Sequence, residues 1–184
     1  MTTHAPDLSE VLAAYRSFDL EFQTLLMATC NSYGEPDASY APYLKHMDYY
    51  YVYVSELSTH TENLSTTKRC SVLFIEEEAT AKHLFARRRV TLQCQAEEIK
   101  RESSEFEQIL DLFVERFGKF MGMMRNLKDF HLFRLSPEKG AYVAGFAQAY
   151  TLQGEGLSVI KHRTEKGHRS ADKTTEQQLT QLSS

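Results

Sequence analysis

The sequence predicts a mainly β (α+β) protein, an antiparallel β-barrel with peripheral helices. Three observations carry this. Seven or so short apolar segments with strand alternation follow one another in meander order. Helical periodicity is confined to the start, the middle and the late middle of the chain. A length of 184 residues with 42% hydrophobic content suits one domain with a real core.

Leu8 to Phe22 opens the chain as an amphipathic helix, with Leu8, Val11, Leu12, Tyr15 and Phe18 at helical spacing and Asp7 as N-cap. Thr24–Cys30 and Asp37–Leu44 flank the turn Asn31-Ser-Tyr-Gly34 and read as a hairpin. His46-Met-Asp48 turns the chain into Tyr49–Val54, a strand dense in Tyr and Val. Thr59–Thr67 is a short helix capped by Ser58 or Thr59. Cys70–Glu76 is a strand closed by Glu76-Glu77-Glu78. Arg88–Ile99 is a long strand, with Val90, Leu92, Cys94 and Ala96 on one face and Thr91, Gln93 and Gln95 on the other.

Ser104-Glu-Phe-Glu107 reads as a capping box. It opens a helix bearing Phe106, Ile109, Leu110, Phe113 and Phe117 and stopped by Gly118. Phe120–Met124 is a soft apolar connection. Lys128 to Tyr150 reads as two strands around a turn marked by Pro137 and Gly140, with a bulge or a close backbone approach at Gly145. After Tyr150 the character becomes polar. His162 and His168 lie in a segment with little core to join, and 171–184 reads as a disordered tail. The expected organisation is one domain over 1–170 followed by that tail.

A net charge of −4 lacks the positive field of a non-specific nucleic-acid binder. Arg87-Arg88-Arg89 is the local exception, read as a solvated strand end before an anion site. Three scattered cysteines with no metal-ligand spacing indicate free thiols of a reducing compartment. No signal peptide and no membrane-length apolar run are seen, so the expected location is the cytoplasm, with no membrane partner. No GxSxG, P-loop, HExxH or GxGxxG occurs, which removes several common enzyme classes.

The histidines carry the candidate chemistry. His131 alternates within a strand and reads as a satisfied core residue. His60, near a helix start, is either an anion contact or an ordinary capping side chain. His162 and His168 are either solvated or presented over a pocket as metal-binding imidazoles. A ligating imidazole usually gives its other N–H to a carboxylate. Asp129 is a candidate for that carboxylate, but spacing pairs it with neither histidine.

Eight segments in fixed order resemble a known family: Thr24–Thr29, Gly34–Pro42, Leu57–Leu64, Ser71–Glu78, Ala86–Cys94, Asp129–Leu135, Ala141–Phe146 and Gly167–Arg169. Each is weakly specific alone; their joint order is similar to the haem-utilisation proteins of the HutZ/HugZ type, within the pyridoxamine-phosphate-oxidase-like split β-barrels. The resemblance implies a split antiparallel barrel of the FMN-binding-protein type. It also implies a homodimer that binds haem at its interface and opens the porphyrin ring to a bilin-type product with release of iron. It assigns His168 as the axial ligand to the haem iron, with His162 in reserve, and Asp129 as the carboxylate that hydrogen-bonds to it from the other protomer. Thr24, Arg88 and His60 become pocket-lining candidates. The electron donor stays open.

Two departures matter. Flavin-binding relatives hold the FMN phosphate with a Ser-Arg-Lys-like segment, and here Ser58-Thr59-His60 stands in its place. A dianion would lose charge-assisted contacts of roughly 1.5–3 kcal/mol each, so FMN is not the expected cofactor. The family's Gly-Phe-Gly followed by a basic residue is here Gly145-Phe146-Ala147-Gln148. The alternatives to a haem-degrading oxygenase are a cytoplasmic haem carrier without turnover and an FMN-dependent oxidoreductase.

Overall fold

A computed structural model describes residues 7–163. The order is α1 (Leu8–Phe18), β1 (Thr24–Cys30), β2 (Pro36–His46), β3 (Tyr49–Ser55), α2 (Thr59–Thr67), β4 (Arg69–Ile75), β5 (Arg89–Ile99), α3 (Ser104–Phe117), α4 (Lys119–Met124), β6 (Phe130–Gly145), β7 (Gln148–Gln153) and β8 (Val159–His162). The sheet runs β3-β2-β1-β4-β5-β6-β7-β8, and an added β3–β6 pairing closes the first six strands into an antiparallel barrel. The predicted fold class holds.

Alternation builds two cores. Inward residues such as Leu25, Met27, Tyr43, Val52, Val72, Phe74, Val90, Leu92 and Phe133 fill the barrel. The outward faces of β3 and β6, through Tyr51, Tyr53 and Leu132, pack instead on Phe106, Ile109, Leu110 and Phe113 of α3 and Met121 of α4. β3 is therefore buried on both sides, which is why its pattern is a near-continuous aromatic and β-branched run.

Several expectations need correction. The turn at Pro137 and Gly140 does not exist: β6 runs unbroken for 16 residues. Gln93 faces Lys139 and Cys94 faces Pro137, so Glu138 is an extra residue bulged out of the ladder. A proline cannot donate to a ladder, and a bulge beside it accommodates that loss. Gly140 serves space rather than turning, since a Cβ there would lie 2.8 Å from Leu92 Cδ2 and 3.0 Å from the Thr91 carbonyl oxygen. The reversal comes at Phe146–Ala147, between Gly145 and Gln148. A register shift between Val143 and Gly145 supplies the bulge expected there. Ala147 takes φ +57, a conformation glycine adopts more readily.

The capping box centred on Ser104 is also wrong. Ser103 is the N-cap, accepting from the Phe106 N–H at 3.2 Å. Phe120–Met124 is helical as part of α4, not a connection. The segment after Tyr150 does join the core: Leu157 and Ile160 are buried, and β8 pairs with β7.

Asp19, a fully buried carboxylate, receives the Lys45 ammonium at 2.6 Å and the Tyr50 hydroxyl, while Tyr43 donates to its backbone carbonyl. Burial and this acid push the Tyr43 hydroxyl up to about 12. Two arginines of the run pair with carboxylates: Arg87 bonds Glu78, and Arg88 bonds Glu76 and Glu21. The cysteines are free, with Cys70 opposite Cys94 across β4 and β5. The neighbouring Cys70 thiol and burial drive the Cys94 thiol well above its usual range. No helix among the described residues is long and apolar enough to cross a membrane.

Candidate functional site

A cleft of about 880 Å³ opens between the outer edge of the barrel and the α3–α4 layer, a size typical of small-molecule sites. β2 contributes Asp37 to Pro42, the end of β3 contributes Tyr53 to Ser55, and the entry to α2 contributes Leu57 to His60. The far wall is Phe113, Phe117, Phe120, Met121, Met124 and Phe130. This aromatic and thioether surface suits a flat apolar ligand. No lysine or arginine lines it among the described residues. A phosphate dianion would find no fixed cation here, in agreement with the expectation against FMN.

His60 is held at the first turn of α2. Its residue surface is 8% exposed, Nδ1 lies 2.9 Å from Ser39 Oγ, and Nε2 is buried without a protein partner. The Ser39 hydroxyl lies 3.5 Å from the Met27 carbonyl. When it donates there, Nδ1–H donates to Ser39 and Nε2 carries the lone pair. Burial lowers the imidazole pKa, against a smaller opposing effect of Asp37, so the ring stays neutral at pH 7. Of the two readings of His60, capping fails: the N-cap is Ser58, and it makes no side-chain cap bond.

Asp129 stands at the rim. It precedes the lining residue Phe130, and its Oδ2 lies 3.4 Å from the hydroxyl of the lining Ser55. Its backbone carbonyl accepts the Glu56 N–H at 2.8 Å. Thr24 is exposed at the start of β1 and reaches the cleft only through its strand partner Pro42. Arg88 is elsewhere in the protomer, lining a smaller cavity with Glu76, Ala144, Gly145 and Gln148, its guanidinium stacked 5.1 Å from the Phe18 ring.

His162 is a strand residue of β8. Its Nε2 is 3.3 Å from the Ala147 carbonyl oxygen, and its ring lies 5.1 Å from that of Tyr150. His162 thus belongs to the sheet, contrary to the reading of it as part of a tail. His168 and the segment 171–184 lie outside the described residues. His131 is not a core residue but a bridge at the barrel rim, 2.6 Å from Glu98 and 2.7 Å from Glu56. Among the described residues no cluster of three or more His, Cys, Asp or Glu side chains is placed to hold a metal ion.

Sequence reasoning missed the α3–α4 wall. Phe113, Phe117 and Met121 were legible as helix-face or gap-filling residues, and only the fold shows that this face looks across at Ser58-Thr59-His60.

Residues 11–144 match the family model described as pyridoxamine 5'-phosphate oxidase. The sequence is 40% identical to Heme oxygenase HutZ of Vibrio cholerae over 154 residues, covering 84% of this chain and 87% of that protein. The crystal structure of HutZ from Vibrio cholerae, described there as a heme storage protein, is 37% identical with a TM-score of 0.65, covering 68% of this chain and 89% of that one. That of Campylobacter jejuni ChuZ is 30% identical with a TM-score of 0.81, covering 92% and 68%.

Proposed function

Because the chain belongs to the pyridoxamine 5'-phosphate oxidase family and, within it, to the group of HutZ, we propose that it binds haem and opens the porphyrin ring oxidatively, releasing iron. The observation that carries this reading is the cleft itself. Its wall is aromatic and methionine-rich, it offers no phosphate-binding cation, and a carboxylate waits at its rim. Haem supplies the redox chemistry when bound; the protein supplies ligation, orientation and electrostatics.

In this proposal His168 ligates the iron and Asp129 of the other protomer accepts the second N–H of that imidazole. Holding that proton fixes the ring's orientation and raises its basicity. His60, kept neutral by burial, places no fixed positive charge beside the bound ring system. The α3–α4 wall excludes water from the apolar faces. Thr24 and, from the partner protomer, Arg88 line the dimer cleft. Residues 1–170 act as one split-barrel unit whose end reaches the haem.

The dimer has a candidate surface. Tyr40, Leu26 and Leu73 are successive register partners across β2, β1 and β4 on the outside of the barrel. Tyr40 is 66% and Leu26 45% exposed, and Tyr40 also lines the cleft. An apolar row continuous with the site fits an isologous interface that completes it. The expected location is the cytoplasm.

Haem storage without turnover is the second reading, favoured by the description of the HutZ crystal structure. Adding ascorbate in air to the haemin complex separates the two. The oxygenase loses its Soret band and releases iron to a ferrous chelator; a storage protein keeps the band. Absence of any Soret shift with haemin sinks both.

A further inference from the structure

We infer that Arg101 is a positioning residue for Asp129, holding in place the loop that presents this carboxylate to the haem-ligating histidine. The inference rests on the haem reading above.

Asp129 is carried by the short connection between α4 and β6, residues 125–129, which has no regular backbone ladder of its own. Such a segment orders only if its carbonyl groups find donors. The Glu56 N–H serves Asp129 itself, and one guanidinium serves Arg125 and Leu127 before it and Phe130 after it. Arg101, in the turn between β5 and α3, donates through Nη1 to the Arg125 carbonyl at 3.3 Å. Its Nη2 donates to the carbonyls of Leu127 and of Phe130, the latter at 2.7 Å. The carbonyls it gathers thus lie on both sides of Asp129. Nη2 also reaches the Tyr53 hydroxyl at 3.2 Å, and that hydroxyl lies 3.3 Å from the Arg125 carbonyl.

The geometry is specific to arginine. Its donors form a rigid planar fork, whereas a lysine offers a compact ammonium that cannot span three carbonyls. The guanidinium also lies 5.2 Å from the centroid of Phe106, so α3 fixes its plane. A carboxylate that must meet an imidazole within a few tenths of an ångström depends on such support.

The test uses the full chain loaded with haemin. Variants are Arg101→Ala, Arg101→Lys, Tyr53→Phe, Asp129→Asn and, as a surface control, Arg69→Ala. Two quantities are read: the iron–histidine stretching frequency of the ferrous complex by resonance Raman, and the rate of ascorbate-driven Soret loss across pH. Asp129→Asn should lower the frequency and slow ring opening by about tenfold or more. Arg101→Ala should move both in the same direction, and millimolar guanidinium chloride should restore them in part. Arg101→Lys and Tyr53→Phe should fall between, which keeps the test informative if Arg101→Ala does not fold. Arg69→Ala should match the wild type.

If Asp129→Asn shifts both readouts while folded Arg101→Lys, Tyr53→Phe and Arg101→Ala keep wild-type values, Arg101 is structural only and the inference is overturned. If Asp129→Asn itself leaves the frequency unchanged, the role assigned to Asp129 fails and the inference falls with it.

Discussion

Ser39 and His60 meet at 2.9 Å through Oγ and Nδ1, and this contact fixes the imidazole ring beside the cleft. It joins β2 to the first turn of α2 and leaves Nε2 buried and unpartnered. The segment that binds phosphate in flavin relatives therefore carries a neutral imidazole in place of a fixed positive charge.

Restoring a fixed charge there should restore phosphate affinity. His60→Lys should bind FMN at least about tenfold more tightly than the wild type, since one charge-assisted hydrogen bond contributes roughly 1.5–3 kcal/mol and about 1.4 kcal/mol is a factor of ten. Quenching of FMN fluorescence measures it. Equal affinity in both proteins would mean that the cleft rejects FMN by shape.

His60 and His131 should contribute to stability with opposite pH signs. Burial works against the charged form of His131 but is outweighed by the hydrogen bonds to Glu98 and Glu56, so its pKa is raised. Its contribution is fully present below the unfolded value of about 6.5 and is lost as pH rises through the folded value. His60 is shifted down by burial, so the native state loses stability as pH falls below about 6.5. His131→Gln should lower Tm more at about pH 6 than at about pH 8.5, and His60→Gln should relieve part of the acid loss. Thermal melts across pH decide it; a His131→Gln effect independent of pH would rule out the ion-pair account.

Gly140→Ala should destabilise by about 1–3 kcal/mol, because the new methyl would collide with Leu92 and the Thr91 carbonyl. Urea midpoints measure the change. Gly34, at φ +81 with nothing within 4 Å of an added Cβ, gives the contrast: Gly34→Ala meets only backbone strain, about 1–2 kcal/mol. A wild-type midpoint for Gly140→Ala would show that β5 and β7 can separate at that point.

Leu26→Glu should yield a folded monomer with weakened haem binding. The substitution puts a charge between Tyr40 and Leu73 on the outer face without touching the barrel core. Light scattering gives the mass and Soret titration the affinity. A monomeric variant with wild-type haem affinity would show that each protomer holds a complete site.

What was legible in the sequence divides along physical lines. Strict alternation made β5 readable residue by residue, because Val90, Leu92, Cys94 and Ala96 have only one face to bury. Pro137 and Gly140 misled because each has two uses. Proline stops a turn or tolerates a bulge, and glycine turns a chain or makes room for a neighbour; only the strands alongside decide. The polar look of the segment after Tyr150 hid β8, whose one buried residue is Ile160, with Leu157 buried just before it. Ser103 was passed over because its neighbour Ser104 fitted the capping pattern equally well. The cleft was legible in parts, His60 and Asp129 by family pattern, but its far wall comes from helices more than fifty residues downstream of His60. Nothing local to Arg101 marks it as the donor to carbonyls 24 to 29 residues away.

The β3–β6 pairing that closes the barrel also sets when the site can come into being. Tyr50 meets Leu135 and Ser55 meets Phe130, partners 85 and 75 residues apart in the chain. Contacts of such long sequence separation form only after a large loop-closure entropy has been overcome, which slows a fold of this kind and places them late. The rim residue Asp129 and the wall residue Phe130 sit at that seam. A nascent or partly unfolded chain would carry the meander and α2 but no cleft. Haem capture is therefore a report on completed folding, and its recovery after dilution from urea should lag the first collapse and track closure of this last pair of strands.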